Sequence, residues 1–155
     1  MTNFERAVVH AFNDHFKEND IKGLAYRRKQ SRYQSQIVDV LVDSPEIGYY
    51  AIECKSKKLE YGDRLYFSSD FPVSDNGHQV PRTTEWANRT GRKALLGLEL
   101  RQGRGKPRIG TLYHWADVDR MYGQDECKGF GPEDLKEYSI NISREGSTYE
   151  LVNKE

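Results

Sequence analysis

The chain is short of several things that would have announced a function. Its 155 residues contain two cysteines, Cys54 and Cys127, and neither has a CxxC partner. Two such cysteines make no disulfide framework, and with His10, His15, His78 and His114 scattered along the chain they make no zinc signature either. No apolar run approaches the roughly 18 residues of a spanning helix, and the mean hydropathy is −0.87. The opening residues, Met-Thr-Asn-Phe-Glu-Arg, do not place a basic flank before an apolar core, so no secretory signal is read there and an intracellular, cytoplasmic protein is expected. A Gly-x-Ser-x-Gly elbow is missing, which removes the main support for a Ser-His-Asp hydrolase. The Gly-rich stretch Gln102–Arg108 lacks the spacing of a P-loop. Internal repeats and low-complexity tracts are absent too.

Net charge is also missing: 24 Lys and Arg balance 24 Asp and Glu. The balance is not uniform. Residues 22–108 hold 17 basic against 10 acidic side chains, a net of +7, whereas residues 1–21 hold 2 against 4 and residues 109–155 hold 5 against 10. Local charge, rather than the total, sets the field that a phosphate backbone meets.

The basic region surrounds residues 36–58, which read as a β-hairpin carrying acid and base. Residues 37–42 are a strand-length apolar run interrupted once, by Asp39; the cluster Asp43-Ser-Pro-Glu is a turn; Tyr49 to Cys54 is a second β-rich run leading into Lys55. Side chains alternate along a strand, so Ile37, Asp39 and Leu41 share one face and Ala51, Glu53 and Lys55 share one face of the partner. In simple register Asp39, Glu53 and Lys55 converge. A lone carboxylate in an apolar run is costly, and two side by side repel unless a cation lies between them. Mg²⁺ takes one or two carboxylates and keeps several waters, and a lysine two residues from a ligand is placed to orient or deprotonate such a water. The plain alternative is a half-wet sheet on which these charges form a surface pair of little energetic consequence.

Asp39, a gap of about a dozen residues, then Glu53-x-Lys55 on the next strand resembles the PD-(D/E)XK nuclease superfamily, with Val38 where that pattern often has Pro. The order of elements over residues 2–119, with Tyr-Ala-Ile-Glu-x-Lys-Ser at residues 50–56, looks most like the archaeal-type Holliday junction resolvases. The resemblance implies an α/β fold of the restriction-endonuclease-like kind, a mixed central β-sheet flanked by helices. It implies Mg²⁺-dependent hydrolysis of DNA phosphodiesters, with Mn²⁺ substituting, in recombination or repair. Asp39, Glu53 and the Cys54 backbone carbonyl would hold the metal, Lys55 would position or activate the water, and Glu5, an acidic residue on the first helix facing the site, would act in catalysis by holding a second metal or a bridging water. A resolvase cuts paired strands of a four-way junction, so a homodimer is expected. The same motif serves restriction, repair and viral DNA processing, and an inactive copy of the fold would serve as a binding module; an inactive copy would be expected to have lost part of the triad, and all three residues are present.

The flanks give further expectations. Phe4, Ala7, Val8, Ala11, Phe12 and Phe16 recur at helical spacing, predicting a first helix over residues 3–17. Thr2 with Glu5 three residues on is also a capping-box signature, so Glu5 has a purely structural reading beside the functional one. Leu24 to Arg28 reads as a short strand, and residues 29–36 as a polar loop. Arg27, Arg28, Lys29, Ser31, Arg32 and Ser35 supply the donors that track a phosphate backbone, and in the resembling resolvases a loop serine, matched by Ser31 or Ser35, acts near the cut strand. Lys57 and Lys58 extend the basic character. Residues 59–77 form a long link with one short apolar run, read as a flap over the site or a contact to partner or DNA. A second helix spans residues 79–90, with Pro81 in its first turn and Gly91 as its stop; Gln79 at its start is a candidate water or phosphate ligand, or a plain first-turn polar residue. Two strands follow, at 94–101 and 109–115, around a basic tip that is either a DNA-backbone finger or a solvated hairpin end. Residues 116–137 read as acidic and broken, with one short helix at 133–137, and a hairpin closes the chain. A single nuclease domain over 1–155 is expected, its core at about 2–119 and residues 120–155 a C-terminal extension.

Overall fold

The computed structural model describes residues 3–27 and 38–154. The first helix, α1 (Asn3–Glu18), buries Phe4, Glu5, Val8, Ala11, Phe12 and Phe16, the stripe read from the spacing with Glu5 added and Ala7 only half-buried. A short strand, β1 (Leu24–Arg27), pairs antiparallel with β2 (Val40–Ser44), which turns into β3 (Gly48–Lys58). The Ser44 hydroxyl accepts from the amides of Glu46 (3.3 Å) and Ile47 (3.1 Å) and closes that turn. The hairpin therefore lies further along the chain than the apolar run suggests: β2 starts at Val40, and Asp39 occupies a bend before it instead of a strand interior. A carboxylate is more easily accommodated where the backbone has left the ladder.

The long link after β3 carries three two-residue strands: β4 (Leu65–Tyr66), β5 (Val73–Ser74) and β6 (Gly77–His78). It is no loose flap. Leu65, Phe67 and Phe71 are buried in a cluster with Val80, Leu96, Leu98 and Trp115. The second helix, α2 (Gln79–Thr90), has the expected bounds and stops at Gly91, whose φ of 69° is the left-handed conformation that glycine tolerates. It crosses over to β7 (Lys93–Arg101), parallel to β3, and β8 (Ile109–His114) returns antiparallel. A parallel pair needs such a crossover.

Residues 115–137 depart from the expectation. Trp115, Val118 and Met121 recur at spacing three and are buried, so a helix, α3 (Trp115–Tyr122), forms there. Its acids are used: the Thr84 hydroxyl donates to Asp119 (3.0 Å) and accepts from the Trp115 indole (3.0 Å), joining α3 to α2. The short helix expected at 133–137 is a single 3₁₀ turn over Pro132–Asp134. Just before it, β9 (Gly129–Phe130) pairs with β4. The chain closes with the hairpin of β10 (Ile140–Glu145) and β11 (Thr148–Asn153).

The main sheet runs β1-β2-β3-β7-β8 and is mixed, with helices on both faces, the fold class expected. Alternation along β3 and β7 divides the core. Ile52 and Leu95 pack with α1 and with Ile142 and Tyr149 of the terminal hairpin; Leu96 and Leu98 pack with α2, α3 and the link. Among the described residues, no helix is long and apolar enough to cross a membrane.

Candidate active site

β2 pairs with β3 only as far as Val40↔Ile52. From Glu53 onward β3 keeps β7, in register to Lys58↔Arg101, but has lost β2. The sheet forks there, and Asp39 stands at the mouth of the fork. The Cys54 amide donates to Asp39 Oδ2 over 2.8 Å, which ties the carboxylate to the edge of β3 beyond the β2 ladder. The N–H and C=O of one strand residue point to the same edge, so the Cys54 carbonyl is turned into the same gap.

Glu53, Lys55 and Lys57 face α2 and the link, while Cys54 and Ser56 face α1. Glu53 is 4% exposed. Its Oε1 lies 3.6 Å from Lys55 Nζ, and its Oε2 is buried with no hydrogen-bond partner. Burial first, and then the Asp39 charge, raise its carboxyl well above the ordinary range; Lys55 and a hydrogen bond from Gln79 pull the other way. Lys55 Nζ donates to Gln79 Oε1 over 3.2 Å and sits 4.8 Å from the centre of the Phe71 ring. Gln79 is itself buried, at the first position of α2. Its placement depends on His78, whose Nδ1 caps α2 by accepting from the Val80 amide (3.1 Å), while the Phe67 carbonyl accepts from Nε2 (2.7 Å).

Glu5 reaches the fork from α1. Its carboxylate accepts from Arg27 Nη2 at 3.2 Å and is hydrogen-bonded to Asp39. Its carboxyl is raised by burial, then by Asp39, with Arg27 opposing. Glu5 thus lies against Asp39, and Thr2, its partner in the capping-box reading, lies outside the described residues. The Cys54 thiol is pushed well up by burial and then by Asp39, Glu53 and Glu5, so it stays neutral and is no nucleophile.

Among the described residues, no three His, Cys, Asp or Glu side chains are arranged as a ready metal cage. What the fork offers is an all-oxygen set: two repelling carboxylates, Asp39 and Glu53, the orphaned Glu53 Oε2, and the Cys54 carbonyl. That donor chemistry suits a hard divalent cation that keeps waters, and it does not suit zinc.

The predicted DNA contacts divide three ways. Arg28, Lys29, Ser31, Arg32 and Ser35 lie outside the described residues. Arg27 is paired with Glu5, and Lys57 is drawn into the link, donating to the Arg64 carbonyl and lying 3.8 Å from Asp70. Lys58 is exposed. Sequence reasoning missed Phe71 and His78, because a loop aromatic and a residue before a helix carry no period that marks them; His78 preceding Pro81 and a helical stripe was the one available signal for a cap.

No family model matches the chain, and no curated protein matches it. Among solved structures, that of Hjc, a Holliday junction resolvase from the archaeal hyperthermophile Archaeoglobus fulgidus, is similar at 16% identity, over 83% of this chain and 93% of that chain, with a TM-score of 0.49. A likeness at that level leaves the reading of the site to its own geometry.

Proposed function

We propose that the chain is a Mg²⁺- or Mn²⁺-dependent DNA endonuclease, and that its substrate is a four-way junction. The observation that carries the first part is the convergence, at the fork of β2 and β3, of Asp39, Glu53 and Lys55 with an unsatisfied carboxylate oxygen among them. A carboxyl perturbed by burial together with a specific charge partner marks a candidate functional site. The junction rests on the resemblance of residues 2–119 to the resolvase pattern.

In this reading Asp39, Glu53 and the Cys54 carbonyl hold the cation, with Glu5 supporting it through Asp39. When bound, the cation supplies Lewis-acid stabilisation of the phosphoryl oxygens and lowers the pKa of water in its shell. Lys55 presents its ammonium to the attacking water or the developing negative charge. Gln79 fixes the direction of that ammonium and Phe71 screens one side of it from solvent. Attack on phosphorus with departure of the 3′-oxygen leaves a 5′-phosphate. Resolution needs two cuts in strands related by symmetry, so the active species is a homodimer.

The test is cleavage of a labelled mobile four-way junction beside linear duplex and single-stranded DNA, with Mg²⁺ or Mn²⁺, by the wild type and by Asp39→Ala. Paired symmetric nicks in the junction alone, lost in the variant, are expected. Cutting of linear duplex would keep the site but make the protein a restriction or repair nuclease, and cutting of nothing would favour a DNA-binding module of the same fold. A protein that stays monomeric at working concentration, by light scattering, would contradict junction resolution.

A further inference from the structure

A second charged feature lies beyond the fork. A cavity of about 660 Å³ opens where β3 and β7 end and the β7–β8 turn begins, lined by Lys58, Arg101, Arg104, Lys106, Arg108 and Glu60 among others. Five cations there face one carboxylate. Only Arg108 is engaged in an ion pair, with Glu99 at 3.4 Å; Lys58, Arg101, Arg104 and Lys106 have no carboxylate partner among the described residues. Arg101 Nε is buried with no hydrogen-bond partner. Like charges around a concavity repel and focus the field, and only an anion relieves both.

The turn that presents them is held in shape. Gly103 and Gly105 take φ of 103° and 79°, open to glycine and strained for other residues. The Pro107 carbonyl accepts from the Gln102 side-chain amide (2.6 Å), and the Gly103 carbonyl accepts from the Lys106 amide (3.2 Å). Arg104 and Lys106 are thereby presented from a closed turn.

The cavity is also joined to the fork. Lys58 and Arg101 are Cα partners, and Lys58 lies three residues beyond Lys55 on β3, about 10 Å, or roughly three base rises of B-DNA. Alternation puts Lys58 and Arg101 on the α1 face, opposite Glu53 and Lys55. Arg101 and Arg108 line a second cavity of about 270 Å³ that reaches Asn3, two residues from Glu5. A nucleic-acid strand leaving the fork can thus pass over the first turn of α1, by Ser56 and Arg101, to the β7–β8 turn.

We infer that this cavity is an anchor for the backbone phosphates of duplex DNA, away from the phosphate that reacts. The inference rests on the DNA reading above, and its test is separate from cleavage. Binding of a labelled duplex to the full chain is followed by fluorescence anisotropy in EDTA across a salt series, for the wild type, the double variant Arg104→Gln/Lys106→Gln, Glu60→Gln, and Arg89→Gln on the exposed face of α2 as a control. Both turn residues are exposed, and circular dichroism verifies that the fold is kept. The slope of log affinity against log salt should fall by about two in the double variant, since each phosphate contact contributes about 0.9. Affinity should fall about tenfold or more with it, while Glu60→Gln binds more tightly and Arg89→Gln is unchanged. An unchanged slope in the double variant overturns the anchor, as does an equal fall in Arg89→Gln or a wild type that binds no duplex. A slope that falls as expected in a protein that cuts no DNA keeps the anchor and overturns the nuclease.

Discussion

The amide of Cys54 donates to the Asp39 carboxylate over 2.8 Å, at the point where β2 stops pairing with β3. That bond ties β3 to the residue before β2, beyond the last Cα pair of their ladder. It turns the Asp39 carboxylate and the Cys54 carbonyl toward the same space, into which Glu53 adds a carboxylate with one oxygen unsatisfied.

Replacing Asp39 by Asn keeps the shape of the acceptor but removes a charge. The Asp39 charge is the second cause, after burial, of the raised Glu53 carboxyl. In metal-free Asp39→Asn, Glu53 should therefore ionise at a lower pH than in the wild type, read from the Glu53 side-chain carbonyl carbon by NMR titration. DNA cleavage should fall at least about 100-fold, because cation stabilisation of the transition state contributes several kcal/mol.

Glu53→Gln should trade function for stability. A carboxyl raised above its unfolded value of 4.5 binds its proton more tightly in the folded state, so the stability it lends is present at low pH and is lost as pH rises through the folded pKa. Gln has no such loss. In EDTA the variant should match the wild type near pH 4.5 and melt above it at neutral pH, by roughly 2–4 °C for each 1 kcal/mol. Thermal melts across that range decide it. A difference that shrinks as pH rises contradicts the prediction.

The cap of α2 is a structural prerequisite of the site. His78→Ala loses the bond to the Val80 amide and the one to the Phe67 carbonyl, at a cost of about 1 kcal/mol each. His78→Asn can still cap the helix and should recover about half of the loss in urea unfolding. Neither touches the fork directly, so any fall in cleavage should track the loosening of Gln79 and Lys55.

The terminal hairpin is part of the fold. Glu99, 2% exposed, accepts from Tyr149 (2.7 Å) and from Ser56 (3.1 Å). Burial and then the bond to Glu99 push the Tyr149 phenol upward, so it remains a donor at all ordinary pH. Tyr149→Phe leaves Glu99 Oε2 without that donor and should cost about 1–3 kcal/mol, measured as a lower urea midpoint with an unchanged m-value.

What the sequence made legible was local. The stripe on α1, the Gly91 stop and the alternation that puts Glu53 and Lys55 on one face are all written in periods of a few residues, and each is found. What it hid depends on partners far apart in the chain. Asp39 reads as a strand residue until the end of the β2–β3 ladder is known. The link from residue 59 reads as a flap because its strand partner, β9, is more than sixty residues on. The helix α3 was obscured by Asp117 and Asp119, which look like loop residues unless Thr84 is seen waiting for one of them. Glu5 offered two readings, and its neighbours Arg27 and Asp39 come from β1 and the bend before β2, neither of which its spacing on α1 announces.

The measurement closest to the central claim is paramagnetic broadening of backbone amide resonances by substoichiometric Mn²⁺. If the fork holds the cation, the amides of Asp39, Cys54 and Lys55 broaden first in the wild type, and Glu53→Gln abolishes the effect at the same Mn²⁺ concentration. Broadening centred elsewhere, or equal at the fork in wild type and Glu53→Gln, would contradict the site.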